Sequence, residues 1–124
     1  MRNSRICEVF ALYAQISIDE TMDYMPIINA IKSDIESHLI CSDYADTKAD
    51  ILDVLCAVRV YYNYLLSKSA ESSDTSIKVG GVSSSAKTSS NVSEKIKYAK
   101  MLCDKYEIMT AELFCDTEFL FGSV

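Results

Sequence analysis

The chain has 124 residues, 49% of them hydrophobic, and a formal net charge of −6. That length suits one domain with a small core. The acidic balance, with Lys and Arg scattered along the chain, argues against nucleic acid as the primary partner, because phosphate binding needs clustered basic groups.

No apolar run approaches the roughly 20 residues that span a bilayer, and the first residues lack a signal-peptide pattern. A soluble, intracellular protein without a membrane partner is therefore expected. The five cysteines, Cys7, Cys41, Cys56, Cys103 and Cys115, are odd in number and fit no CxxC or zinc-knuckle spacing. Several fall on apolar helix faces, where a thiol behaves as a small hydrophobe, so reduced and mostly buried cysteines are expected.

The first segment runs from about Ser4 to Gln15, with Ile6, Val9, Phe10 and Tyr13 on one face at helical spacing. A helix this short is marginal alone and has to dock. Next, Ser17 to Glu20 fits a capping box, with Asp19, Glu20 and Asp23 placed where a helix dipole favours negative charge. Tyr24, Ile28, Ile31, Ile35 and Leu39 continue as an apolar stripe. Pro26 either kinks this helix or sits in its first turn, so the start is at Asp19 or at Tyr24.

After the polar turn Ser42-Asp43-Tyr44, Thr47 and Asp50 can cap a third helix, Ala49–Leu66. Its stripe is Ile51, Leu55, Val58, Tyr62 and Leu65, and Tyr61, Tyr62 and Tyr64 make its far end aromatic. A fourth helix is expected over Asn91–Leu113, with Asn91 as N-cap, Glu94 three residues on, and the stripe Val92, Ile96, Ala99, Cys103, Tyr106 and Leu113. Two such amphipathic helices pack antiparallel, face to face.

Between them lies the serine-rich stretch Ser67–Ser93, whose only glycines are Gly80 and Gly81. Serine and threonine compete with the helical ladder for hydrogen bonds. A Gly-Gly pair flanked by Thr75, Ile77 and Val79 before it and Val82 after it signals a hairpin. The expectation is a non-helical, exposed β-hairpin arm over residues 74–88, with a serine-rich linker as the alternative. The last segment, 115–124, loses helical periodicity and carries Phe119, Leu120 and Phe121 where chain ends are usually polar. These rings either fold back onto the body or add to a partner. The fold class is thus mainly α: one domain over 1–124, a bundle of about four helices, a hairpin arm and an extended tail.

Catalytic chemistry has little support. The one histidine, His38, lies beside an apolar stripe without spaced partners for a triad or a metal site. Gly80-Gly81-Val82-Ser83 lacks both the P-loop lysine and the last glycine of GxSxG. Asp19, Glu20, Asp23, Asp43, Asp46, Asp50 and Asp53 read as caps or outward charges, and Asp43–Asp53 does not follow the EF-hand order. No catalytic, cofactor or metal residue is assigned, and no enzyme is expected.

The tyrosine-ended helix Ala49–Leu66, the stretch IKVGGVSSS at Ile77–Ser85, and helix Asn91–Leu113 leading to EFLFGSV resemble the head–tail connector (adaptor) family of long-tailed bacteriophages and prophages. The resemblance covers most of the chain in order of elements and rests on no invariant motif. It implies a structural virion protein at the neck, present in the bacterial cytoplasm before assembly. Such a protein would form a homo-oligomeric ring that joins the portal protein to the neck or tail-completion protein and passes DNA without reading its sequence. It further implies Ile77, Val79, Gly80, Gly81 and Val82 as a hairpin interface, and Phe119, Leu120 and Phe121 as tail anchors. The rival from another class is a small helical regulatory protein in a stoichiometric complex. A weaker one is a small enzyme with a pocket between helices.

Overall fold

The chain begins with α1, Asn3–Ala14, which buries Ile6, Cys7, Phe10 and Ala11 along one face. In the computed structural model the backbone is described for residues 1–79 and 82–114, and the side chains for 1–70 and 92–114. Helix α1 closes at Gln15, whose φ of 58° and ψ of 45° are left-handed and whose N–H donates to the Ala11 carbonyl. This closure usually falls to glycine, and here it turns the chain sharply after Ala14.

The capping serine works as its position predicts: Ser17 Oγ accepts from the Glu20 N–H at 3.2 Å. It caps a separate short helix, however: α2, Ile18–Thr21. A 3-10 turn over Met22–Tyr24 then leads into α3, Met25–Ser37. Pro26 stands in the first turn of α3, where its missing N–H leaves no helical bond unmade. The second of the two expected starts is therefore the one adopted.

A one-turn helix, α4 (Tyr44–Thr47), precedes α5, Ala49–Val79, and α6, Val82–Thr110, followed by a 3-10 turn over Ala111–Leu113. Helices α5 and α6 run antiparallel: the Cys103 thiol donates to the Val58 carbonyl at 3.5 Å, while Leu65, further along α5, shares a groove with Val92 and Lys95, which come earlier on α6. Helix α5 is the axis of the molecule and touches α1, α3, α4 and α6. Leu52, Leu55, Cys56, Ala57, Val58, Val60 and Tyr61 are all buried, so the middle of α5 is covered nearly all round, as a central helix must be. After α6, Leu39 and Phe114 form an isolated antiparallel bridge, and the Ile40 N–H donates to the Leu113 carbonyl at 2.9 Å. This fixes the end of the described chain against the link between α3 and α4.

The hairpin expectation is corrected. Ile77 and Val79 belong to α5, Val82 opens α6, and no strand occurs among the described residues beyond that one bridge. Three alternating β-branched residues make too short a pattern to compete. A two-stranded hairpin is marginal on its own. Extending an already nucleated helix through Ser and Thr costs only about half a kcal/mol per residue relative to Ala. Gly80 and Gly81, which separate the two helices in sequence, and the tail residues 115–124 lie outside the described residues.

Asp53 also departs from expectation. It is not an outward charge: its side chain is fully buried on α5. The Arg2 backbone N–H donates to its Oδ1 at 3.1 Å, and Arg2 Nε lies 3.5 Å from its Oδ2. Arg2 also reaches the exposed Asp50 at 2.8 Å, and the Met1 ammonium donates to the Ala45 carbonyl at 2.6 Å. The first residues are thereby clasped to α4 and α5.

Two stability predictions follow from this packing. Phe10 is fully buried and stands edge-to-face against both Tyr24 and Tyr64, with ring centroids 5.6 Å away in each case. Phe10→Ala is expected to lower unfolding free energy by about 3–5 kcal/mol in urea titration. Arg2→Ala removes the guanidinium from a buried carboxylate and is expected to cost about 1–3 kcal/mol. Asp50→Ala, which touches only the exposed limb of the same arginine, should leave the melting temperature within error of the parent.

Candidate functional site

The residues singled out as an interface are not brought together. Ile77, Val79 and Val82 lie on two helices rather than on a ribbon, while Gly80, Gly81, Phe119, Leu120 and Phe121 fall outside the described residues. What the structure does assemble is a groove between the end of α1, the middle of α5 and the first half of α6.

Tyr13 on α1 stacks on Tyr61 of α5, with centroids 5.6 Å apart and planes 21° from parallel. Three residues along α5, Tyr64 packs edge-to-face on Tyr24 and Phe10. One turn on from Tyr64 comes Lys68, whose ammonium stands 5.6 Å from the Tyr64 ring centroid. With Gln15, Leu65, Val92 and Lys95, these tyrosines and Lys68 line a cavity of about 320 Å³. The helical spacing of Tyr61, Tyr64, Leu65 and Lys68 puts all four on one side of α5. The left-handed closure at Gln15 ends α1 at the rim.

Electrostatically the groove differs from the rest of this acidic chain. Among the described residues its lining holds two lysines and no carboxylate. Burial, then the neighbouring phenols of Tyr106 and Tyr98, push the Tyr13 phenol above its ordinary value of 10.0; Tyr106 adds a hydrogen bond in the same direction. Burial, then Tyr98 and Tyr64, do the same to Tyr61. Both phenols stay protonated at neutral pH and can donate hydrogen bonds. Aromatic walls, neutral hydroxyls and ammonium groups suit an occupant that is planar or apolar and carries negative charge.

A second polar feature lies inside the α5–α6 contact. Arg59 pairs with Glu107 at 3.0 Å, both largely buried. Thr110, fully buried one turn beyond, donates to the Tyr106 carbonyl at 2.7 Å. Sequence reasoning missed this pair because an Arg and a Glu 48 positions apart carry no local signal. The one available cue is that Glu107 follows Cys103 by one turn, on the stripe side of α6. The pair ties α5 to α6 and so favours one helix register.

The remaining chemistry-bearing groups are accounted for structurally. Cys7, Cys41, Cys56 and Cys103 are all free thiols. Burial pushes Cys56 and Cys103 up to about 12, which leaves them protonated and inert as nucleophiles at neutral pH. His38 Nδ1 lies 2.9 Å from the Asp34 carbonyl and 3.7 Å from its carboxylate, so this histidine is spent on closing α3. Among the described residues no three His, Cys, Asp or Glu converge as a metal site, and no helix is long and apolar enough to cross a membrane.

The outer side of α6 carries a row of exposed apolar side chains: Tyr98 (51% exposed), Met101 (67%), Ile108 (65%) and Met109 (54%). Tyr98, Met101, Lys105 and Ile108 follow the three-and-four spacing of a continuous helical face. Leu12 on α1 and Ile40 beside the Phe114 bridge add exposed apolar area. Single exposed hydrophobes are ordinary, whereas a row along one helix marks a contact surface.

No family model, no curated protein and no solved structure matches this chain.

The buried pair yields a pH prediction. Burial pushes the Glu107 carboxyl above its ordinary value of 4.5, against the opposing pull of Arg59. A carboxyl whose pKa is raised by folding binds its proton more tightly in the folded state. Its contribution to stability is complete below about pH 4.5 and is lost as pH rises through the raised value. Glu107→Gln cannot titrate. Urea titrations from pH 4 upward should show the parent losing stability relative to Glu107→Gln over that rise; parallel curves would count against it.

Proposed function

We propose that this chain is a structural assembly protein of the head–tail connector type, acting by protein–protein contact and not by catalysis. The observation that carries the reading is the exposed apolar row of α6, held on the long antiparallel α5–α6 pair. A monomer gains nothing from such a row, while a subunit of a ring needs unlike faces that meet heterologously until rotation closes. The order of elements agrees: short N-terminal helices packed on a longer pair, then an apolar segment leaving a fixed exit point at Phe114. In this reading the ring is homo-oligomeric, and its partners are the portal protein and a neck or tail-completion protein. The protein resides at the virion neck, after a period in the bacterial cytoplasm. Net negative charge would keep a conducting channel from holding the DNA that passes through it.

The loss of the hairpin changes the assembly mechanism. Contacts fall to helix faces, chiefly α6, and to the segment with Phe119, Leu120 and Phe121, which serves as an apolar anchor on a partner.

Native mass spectrometry of the purified chain, alone and with the portal protein of the same genome, tests this. A closed ring of roughly a dozen copies is expected, free or on the portal. Met101→Asp with Ile108→Asp should abolish that ring while leaving helical content unchanged. A monomer or dimer indifferent to the portal would overturn the reading.

A further inference from the structure

Two exposed apolar surfaces of this chain are unlike in charge. On α6, Tyr98, Met101, Ile108 and Met109 are exposed, and Lys97 and Lys105 are exposed among them. Asp104, at the flank, is held by Lys100 at 3.7 Å, and Glu94 and Glu112 stand only beyond the two ends of the row. The other surface is formed by α2 and the turn after it. There Ile18 (46% exposed) and Met22 (53%) stand one turn apart among the exposed Asp19, Glu20 and Asp23. No Lys or Arg occurs between Arg5 and Lys32, so this surface has no basic residue near it in sequence. We infer that the α6 row of one subunit docks on the α2 face of a second copy of the chain, Ile18 and Met22 packing against Met101 and Ile108 while Asp19 and Asp23 face Lys105 and Lys97.

Spacing and charge both support the pairing. Met101 and Ile108 are separated by about 10 Å along the helix axis. Ile18 and Met22 are one turn apart, so the smaller apolar pair fits within the longer row. Methionine on both sides, Met22 against Met101 and Met109, adapts to an irregular contact. The lysine stems extend the apolar cover while their ammonium groups reach the rim. At the rim, opposite charge decides which apolar patch is accepted and in which orientation. The same charges disfavour pairing of two α6 rows, which would set lysine against lysine.

The contact joins copies and not parts of one chain. Helix α2 packs on α1 while α6 packs on α5, and both surfaces stay exposed in the single subunit. Neither therefore covers the other within one molecule. Because the two surfaces differ, each subunit gives its α6 row to one neighbour and its α2 face to another. A head-to-tail contact of this kind closes into a ring when its rotation allows.

This inference deepens the assembly reading above and rests on it, but fails separately from it. The probe is the full-length chain carrying Met101→p-benzoylphenylalanine, with Met109→p-benzoylphenylalanine as a second position. Each is mixed with a ¹⁵N-labelled chain without the photo-reactive group and irradiated both free and in the presence of portal protein. Adducts are expected on residues 18–23 of the labelled chain. Lys97→Glu with Lys105→Glu in the photo-reactive chain should cut their yield by about fivefold or more, since like charges then meet across the contact. Asp19→Lys with Asp23→Lys in the labelled chain should restore it, which separates charge from folding. Interchain adducts elsewhere, on α6 itself or in the tyrosine groove, would overturn the inference. So would adducts within the photo-reactive chain on residues 115–124, which would make the chain's own last segment the cover of α6. Absence of adducts from both positions in both conditions would overturn it as well. A ring on the portal with adducts elsewhere sinks only this inference; adducts on residues 18–23 with no response to the portal sink only the connector reading.

Discussion

Nearly all of this molecule depends on covering the middle of α5. Between Leu52 and Tyr61 almost every side chain is buried, so no single neighbouring helix can satisfy the segment. Helix α1 covers one side through Phe10 and Ile6, α3 another through Ile28 and Ile35, and α6 a third through Ala99, Leu102 and Cys103. Each of those helices is short or weakly amphipathic and would be marginal in isolation. Their helicity is a consequence of docking on α5. The same constraint explains the clasp at the N-terminus. With Asp53 drawn into the buried run, a cation has to come to it, and Arg2 supplies both a backbone N–H and a guanidinium.

Buried polar groups in this core serve register more than net stability. An interior ion pair such as Arg59–Glu107 gains little over a well-packed apolar pair once desolvation is counted. Sliding α6 by one turn against α5 would nevertheless strand both charges. The Cys103 thiol on the Val58 carbonyl and the Cys56 thiol directed at the Ile28 carbonyl, at 4.0 Å, add weak contacts of the same directional kind. Free thiols that are inert as nucleophiles at neutral pH are here small core residues with one mild preference of orientation.

Local patterns were legible in the sequence, and three-dimensional demands were not. The stripes of α1, α3, α5 and α6 follow from three-and-four spacing, and Ser17 and Pro26 announced their places at helix starts. Leu52, Cys56 and Val60 were overlooked because a stripe describes one buried face, whereas α5 is buried on several. Asp53 was misread for the same reason: a carboxylate near a helix start usually caps or faces water, and only the tertiary position of Arg2 makes burial tolerable. The stretch around Ile77 and Val79 misled in the opposite direction. Serine content and alternation are weak local preferences, and the continuity of two packed helices overrides them. The groove was half visible, as the tyrosine-rich stretch Tyr61–Tyr64 in the middle of α5. Its lysines and the contribution of Tyr13 come from three separate elements and have no shared signature along the chain.

The distribution of charge then constrains what such a surface can do. A chain of net charge −6 repels its own copies at long range, and contact becomes favourable only where opposite charges are brought close. The groove concentrates two of the twelve basic residues at one aromatic cleft. The exposed face of α6 carries Lys97 and Lys105 among its apolar side chains. Neither surface is continuously apolar, since charged side chains interrupt both. Contacts that are individually weak and geometrically exacting hold little in a free pair. They accumulate when every subunit of a closed ring makes them at once. In the ring proposed above, such cooperativity would let an acidic protein stay dispersed until a template aligns its copies.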